Sequence, residues 1–226
     1  MTVPRSSLVP SFASSRARLG SAALAGAGLL FLLYPLVRPY SDETTLDGAR
    51  AIASSAWVAS HLFAMVGFIL TALGFLALHL VLDGRLTLPA VVVTWVGAGL
   101  TLSYYGAEDF ALNVIADRAV RENDASLIGL VDEFRYGPAA IGTFAAGLVL
   151  LGVGAVVAAV AVWRSGVLRR WSAVPLAAGF ALFIPQFFGT PALRIAHGAL
   201  MAVGGLWLAA ELWRAGRIGS VEALRR

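Results

Sequence analysis

The stretch from residue 138 to residue 163, PAAIGTFAAGLVLLGVGAVVAAVAVW, contains no charged side chain. The hydrocarbon core of a bilayer is ~30 Å thick and requires ~20 apolar residues per helix, so this stretch is long enough for one crossing. Five other stretches meet the same requirement: 18–38, 51–82, 88–116, 171–189 and 192–213. We therefore expect an all-α fold, a polytopic transmembrane helix bundle with six transmembrane helices.

The composition of the chain supports the same class of protein. Of its 226 residues, 59% are hydrophobic and 13% are charged, and the mean hydropathy is +0.81. A soluble domain has roughly 45–50% apolar and ~25% charged residues, so an ordinary water-soluble fold is excluded, as is intrinsic disorder. The chain has no Cys, which excludes disulfides, thiolate metal sites and a cysteine nucleophile.

The distribution of arginine predicts the orientation. With the N-terminus in the cytoplasm, eleven Arg lie on the inner side and six on the outer side, as the positive-inside rule favours. We expect cytoplasmic tails at 1–17 and 214–226, a six-helix domain at 18–213 with an outer loop at 117–137, and a place in the plasma (inner) membrane. Because the basic residues adjoin membrane segments, the expected partner is the lipid bilayer and not nucleic acid.

The long outer loop carries a second helical pattern. Leu127, Leu130, Val131 and Phe134 recur at helical spacing after Asp124, a residue type that caps helix N-termini. This spacing predicts a short amphipathic helix on the outer surface. The alternative is a solvated connector.

Polar side chains within the apolar segments fall at one depth. Counted at ~1.5 Å per residue from the inner ends of their helices, His61, Glu108, Arg194 and His197 lie roughly 22–32 Å above the inner boundary. Ionisable groups inside membrane segments are costly and are candidates for functional sites. We expect a polar pocket that opens outward, with Arg194 paired to Glu108 or Asp109. The alternative is that these residues reach lipid headgroups and water.

The third segment contributes most of this polar layer, because residues spaced four apart share a helix face. The predicted ligand-binding residues are Tyr105, Glu108, Asp109, Asn113, Gln186 and Arg194. We expect this pocket to bind or pass a small ligand, or to dock a membrane-protein partner, without catalysis.

Two histidines are each followed by a methionine four residues later: His61 by Met65 and His197 by Met201. An imidazole and a thioether at this spacing share a helix face, and facing helices with such pairs suit copper, while two histidines suit haem iron. A haem or copper protein is therefore an alternative. The competing interpretation is that the methionines fill gaps in the core.

Three polar stretches resemble six-helix integral membrane proteins of GC-rich bacteria, a group without an assigned activity. They are SHLFAMVGF at 60–68, YGAEDFALN at 105–113 and PALRIAHG at 191–198. The resemblance implies the same helix count and no mechanism.

A zinc-dependent intramembrane hydrolase is the third alternative. It would use His61, His197 and Asp109 around the metal, with Glu108 as general base. The chain departs from the alkaline-ceramidase-like hydrolases: no Ser lies four residues before His61, no second His lies four after His197, and His79 lies at the inner end.

Overall fold

The computed structural model describes residues 9–224, and the side chains of residues 15–217. Within these residues the structure is 85% helical and contains no strand. The predicted all-α class is therefore confirmed. The helices in chain order are α1 (Val9–Val37), α2 (Leu46–Ile52), α3 (Ser55–Leu82), α4 (Thr87–Gly106), α5 (Leu112–Glu122), α6 (Gly129–Arg135), α7 (Pro138–Ser165), α8 (Val174–Ala181), α9 (Phe183–Gln186) and α10 (Pro191–Leu224).

Five helical stretches of the described chain are long and apolar enough to cross a membrane. They are Ser15–Val37, Ser55–Leu82, Thr87–Glu122, Pro138–Ser165 and Pro191–Arg217. These helices indicate a membrane protein, and they correspond to five of the six predicted segments. Helix also extends beyond the predicted tail boundaries, because α1 begins at Val9 and α10 ends at Leu224.

The predicted segment 171–189 differs from the other five, because it is divided into α8 and α9. The two short helices meet at Leu182. Pro185 has no amide hydrogen to donate to the carbonyl of Ala181, four residues earlier, so the helix is interrupted just there. The hydropathy pattern did not locate this break, since apolar residues stand on both sides of it.

Small residues bring the long helices close together. A Cβ atom on Gly97 of α4 would lie 2.7 Å from the backbone nitrogen of Leu151 in α7, and one on Gly205 of α10 would lie 2.7 Å from the carbonyl oxygen of Leu24 in α1. Only glycine permits such approaches, which let backbones pack tightly where no water drives association. Both pairs of helices are antiparallel, and Arg18 near the start of α1 lies 5.8 Å from the ring centroid of Trp213.

The segment containing α8 and α9 runs antiparallel along α7. At one end, the rings of Trp163 and Trp171 are 4.3 Å apart, and at the other end those of Phe144 and Phe187 are 5.7 Å apart. The segment therefore extends beside most of the length of α7, even though its helix is interrupted.

A smaller apolar cluster covers one end of the bundle. It joins α2, α5, α6 and the start of α3 through buried side chains that include Ile52, Trp57, Ile128 and Val131. Asp124 caps a 3₁₀ turn, Ala125–Ile128, that leads into α6. The predicted short helix is thus present as α6, but Asp124 caps the turn before it and not the helix itself, and the apolar side of the helix packs on this cluster. The predicted helix at 51–82 begins later than expected, because Ser54 caps α3.

We predict that Gly204→Ala destabilises the protein. A Cβ atom there would lie 2.3 Å from the backbone nitrogen of Leu176 in α8, so α8 and α10 must separate at a cost of about 1–3 kcal/mol. Thermal unfolding in mild detergent measures the effect. The control is Gly99→Ala, where a Cβ atom would meet nothing within 4 Å. Equal unfolding temperatures for the two variants would contradict the described contact between α8 and α10.

Candidate functional site

A cavity of about 740 Å³ opens at the end of the bundle where α1 ends and α7 and α10 begin. One side is lined by charged residues of the connecting segments, and the other by aromatic and aliphatic residues of α7 and α9. The lining residues used below are Tyr34, Arg38, Tyr40, Glu43, His61, Tyr104, Tyr105, Glu108, Arg135, Phe144, Ala145, Ile184, Phe187 and Arg194. This two-sided lining gives the cavity an amphipathic character.

Four charged side chains form a continuous chain of ion pairs along the polar side. Arg135 Nη2 donates to Glu108 Oε1 at 2.5 Å, and Arg135 Nη1 donates to Glu43 Oε2 at 2.5 Å. Arg38 Nη2 donates to the other oxygen of Glu43 at 2.8 Å. Four elements meet through this ion-pair chain: the residue after α1, the loop before α2, the end of α6, and the segment after α4.

The ion-pair chain is largely removed from solvent. Its four side chains are between 9% and 20% exposed. Both guanidinium groups lie over the indole of Trp57, Arg38 at 4.8 Å and Arg135 at 5.9 Å from its centroid. Two cations and two anions cancel in net charge, and the desolvation cost of each ion is offset only while its partner is present.

Electrostatics shifts the titration of Glu43. Burial alone raises the pKa of this carboxyl, but the positive charges of Arg135 and Arg38 outweigh burial, so the pKa lies below its ordinary value. A lowered pKa in the folded state adds stability above the unfolded pKa, and this stability is lost as the pH falls through the folded pKa. The Glu43 carboxylate is therefore charged at neutral pH.

A π-helical turn, Ala107–Ala111, carries both acidic residues of the third segment. Glu108 lines the cavity, whereas Asp109 is fully buried, and among the described residues neither of its carboxylate oxygens has a hydrogen-bond partner. π-Turns within α-helices are rare and frequent at functional sites. Here the turn sets two adjacent carboxylates in different environments.

The structure brings together three of the six predicted ligand-binding residues. Tyr105, Glu108 and Arg194 line the large cavity. Gln186 lines a small neighbouring cavity of about 10 Å³, which it shares with Arg194. Asn113 lies elsewhere, because its Nδ2 donates to the carbonyl oxygen of Ile52 at 2.8 Å and fastens α5 to α2.

The expected pairing of Arg194 with Glu108 or Asp109 is wrong. Arg194 donates instead to the carbonyl oxygens of Phe187 at 2.5 Å and Gly189 at 3.3 Å. The carbonyl groups in the connection between α9 and α10 have no partner within a helix. The bonds from Arg194 satisfy two of them and hold the connection against α10. The partner of Glu108 is Arg135.

Sequence reasoning missed Arg38, Glu43 and Arg135. Arg38 is the last residue of the first apolar segment, and Glu43 and Arg135 lie in the connections between segments, where a charged side chain is ordinarily solvated. Glu43 and Arg135 are 92 positions apart, and no spacing rule connects residues at that distance. The only available signal was that all three adjoin the outer ends of predicted helices.

One ring nitrogen of each histidine in the two His–Met pairs is bound to a backbone carbonyl, and the copper or haem site stays a prediction. His61 Nδ1 donates to the carbonyl oxygen of Trp57, and His197 Nε2 to that of Gly179, each at 2.8 Å. Met65 and Met201 pack in the main apolar core. Among the described residues, no group of three or more His, Asp or Glu side chains is placed to hold a metal ion. The zinc arrangement of His61, His197 and Asp109 therefore has no geometric support.

Comparisons with protein-family models, with curated proteins and with solved structures found no match for this chain. The resemblance to six-helix membrane proteins of GC-rich bacteria stays a prediction. The geometry of the cavity and the charges beside it are therefore the basis for proposing a function.

We predict that Glu108→Gln lowers the free energy of unfolding by about 2 kcal/mol, because it removes a charged acceptor from a buried Arg. The matched control is Glu122→Gln on α5, since Glu122 pairs with Arg118 in the open, where both side chains are more than half exposed. Such exposed pairs contribute less than about 0.5 kcal/mol. Denaturant unfolding in detergent compares the variants. Equal losses would contradict the buried character of the Glu108–Arg135 pair.

Proposed function

We propose that this protein is a multi-pass protein of the plasma (inner) membrane with six crossings. The segment of α8 and α9 is the crossing added to the five long helices, and it comes fifth in chain order. The ring contacts of that segment with α7 extend from Trp163 to Phe144. Phe144 and Trp163 are nineteen positions apart on α7, so the contacts extend over a rise of ~29 Å along that helix. This length matches the ~30 Å hydrocarbon core. An interrupted helix is tolerated at membrane depth where its backbone groups stay paired. At the break, the N–H of Leu182 donates to the carbonyl oxygen of Ala178 at 3.0 Å, and its carbonyl oxygen accepts from the N–H of Gln186 at 3.1 Å.

The distribution of charge supports an orientation with both termini in the cytoplasm. The end of the bundle that holds Arg18 and Trp213 belongs to the side with eleven Arg, and the end with the cavity belongs to the side with six. Short loops rich in Arg stay in the cytoplasm. The cavity then opens to the outer face of the membrane.

The function that this geometry supports best is the binding or passage of a small amphipathic ligand through the outward cavity. The observation that carries the proposal is the chain Arg38–Glu43–Arg135–Glu108 along one side of a cavity of about 740 Å³. A cavity of this size falls within the range of small-molecule sites, about 300–1,000 Å³. Ion pairs that served only to fasten the loops would not require this space beside them.

The two sides of the cavity favour a ligand with a polar head and an apolar body. Arg194 adds a positive charge to the polar side, and no carboxylate lies within ion-pair distance of it among the side chains at 15–217. The rings of Phe144 and Tyr104 stack at 4.1 Å on the apolar side, and Phe187 lies beside them. Apolar walls with a few placed polar groups are typical of ligand sites.

Cysteine labelling tests this proposal, because the natural chain has no Cys. Ala145 lines the cavity, whereas the adjacent Ala146 is exposed on the outer surface of α7. We predict that Ala145→Cys reacts with a membrane-impermeant maleimide added outside spheroplasts about tenfold or more faster than Ala146→Cys, since a thiol reacts only where water reaches it. Labelling after denaturation confirms that both variants are present in equal amounts.

The same variants test ligand binding. Decanoic acid and decyltrimethylammonium, which have equal chains and opposite charges, are expected to slow labelling of Ala145→Cys. Labelling from the cytoplasmic side alone would contradict the orientation. Equal slow labelling at both positions would contradict a water-filled cavity. Protection by neither amphiphile, with fast labelling retained, would contradict the ligand class and favour docking of a protein partner.

A further inference from the structure

A second groove lies between α7 and α8 at the end of the bundle opposite the large cavity, with a volume of about 520 Å³. Its walls include Val156, Val160 and Val174, and Ala177, Ala178 and Ala181 contribute small side chains to it. From Val156 to Trp163 it extends ~10 Å along the helix axis. A groove of this composition suits a hydrocarbon chain and offers nothing to a polar ligand along its length.

The mouth of the groove is basic and aromatic. Arg164 lines it, and the guanidinium of Arg170 lies 5.2 Å from the ring centroid of Trp163 and 5.9 Å from that of Trp171. The two indole rings meet edge to face at 4.3 Å. Tryptophan and arginine at the end of a membrane helix lie at the level of the lipid headgroups.

The arginines at this mouth differ from their neighbours in having no anionic partner. Arg169 and Arg214 both pair with Glu211. Within the part of the chain whose side chains are described, no carboxylate lies within ion-pair distance of Arg164 or Arg170. The groove therefore ends beside two positive charges that none of the described carboxylates neutralises.

We propose that this groove is a binding site for one anionic phospholipid, with an acyl chain between α7 and α8 and the headgroup phosphate at Arg164 and Arg170. The apolar length, the small-residue floor and the uncompensated charge at one end together match a lipid and not a free anion. Basic sites between membrane helices are known to bind anionic headgroups. The site is separate from the outward cavity and does not depend on the ligand proposed there.

Native mass spectrometry of the full chain in mild detergent tests the site, with dioleoyl phosphatidylglycerol and dioleoyl phosphatidylcholine as the two probes. The two lipids have the same acyl chains, but only phosphatidylglycerol has a net negative charge, which the two Arg attract. We therefore expect phosphatidylglycerol to bind about tenfold more tightly. Arg164→Gln and Arg170→Gln are each expected to weaken its binding about fivefold. Arg85→Gln, at the same end but outside the groove, is the matched control and is expected to leave binding unchanged.

A second pair of variants tests the hydrocarbon part of the site. Ala181→Leu fills the groove from its exposed side and is expected to weaken binding of both lipids, whereas Ala146→Leu, on an exposed face of α7 away from the groove, is expected to have no effect. Equal affinity for the two lipids would overturn the proposal. So would equal losses in Arg85→Gln and Arg170→Gln, or full binding by Ala181→Leu.

Discussion

Arg135 lies between two carboxylates, Glu108 and Glu43, and forms an ion pair with each. A guanidinium group with little solvent around it is costly unless each of its donors meets an acceptor, and its planar fork suits two carboxylates at once. This requirement connects α6 to the end of α4 and to the loop after α1. Arg38, paired with the same Glu43, extends the connection to α1.

The structure of the bundle end that holds the large cavity depends on that ion-pair chain. Because charged groups hold the connecting segments above the helices, the space between α1, α7 and α9 is left open as the large cavity. At the opposite end a smaller ion-pair group joins Arg169 and Arg214 to Glu211, and glycines let α1 and α10 approach along their length. The largest group of ion pairs therefore lies beside the cavity, where the proposed ligand would enter.

Long apolar runs predicted the five helices that are long and apolar enough to cross a membrane, since ~20 residues buried in hydrocarbon have few alternatives to a helix. The Asp124 cap and the cavity positions of Glu108 and Arg194 were also predictable from local spacing and depth. The partners were not. Pairing of Glu108 with Arg135 depends on how loops fold over the bundle, and the break at Leu182 depends on one proline within an otherwise uniform segment. Periodicity contains neither kind of information.

The coupling free energy between Glu43 and Arg135 tests the central claim most directly. A double-mutant cycle of Glu43→Gln and Arg135→Gln, measured by unfolding in detergent at pH 7, is expected to give about 1–3 kcal/mol. Because the pKa of Glu43 is lowered by Arg135 and Arg38 despite its burial, the coupling should persist to just below the ordinary Glu pKa of ~4.3 and decline at lower pH. A coupling near zero at pH 7 would contradict the account.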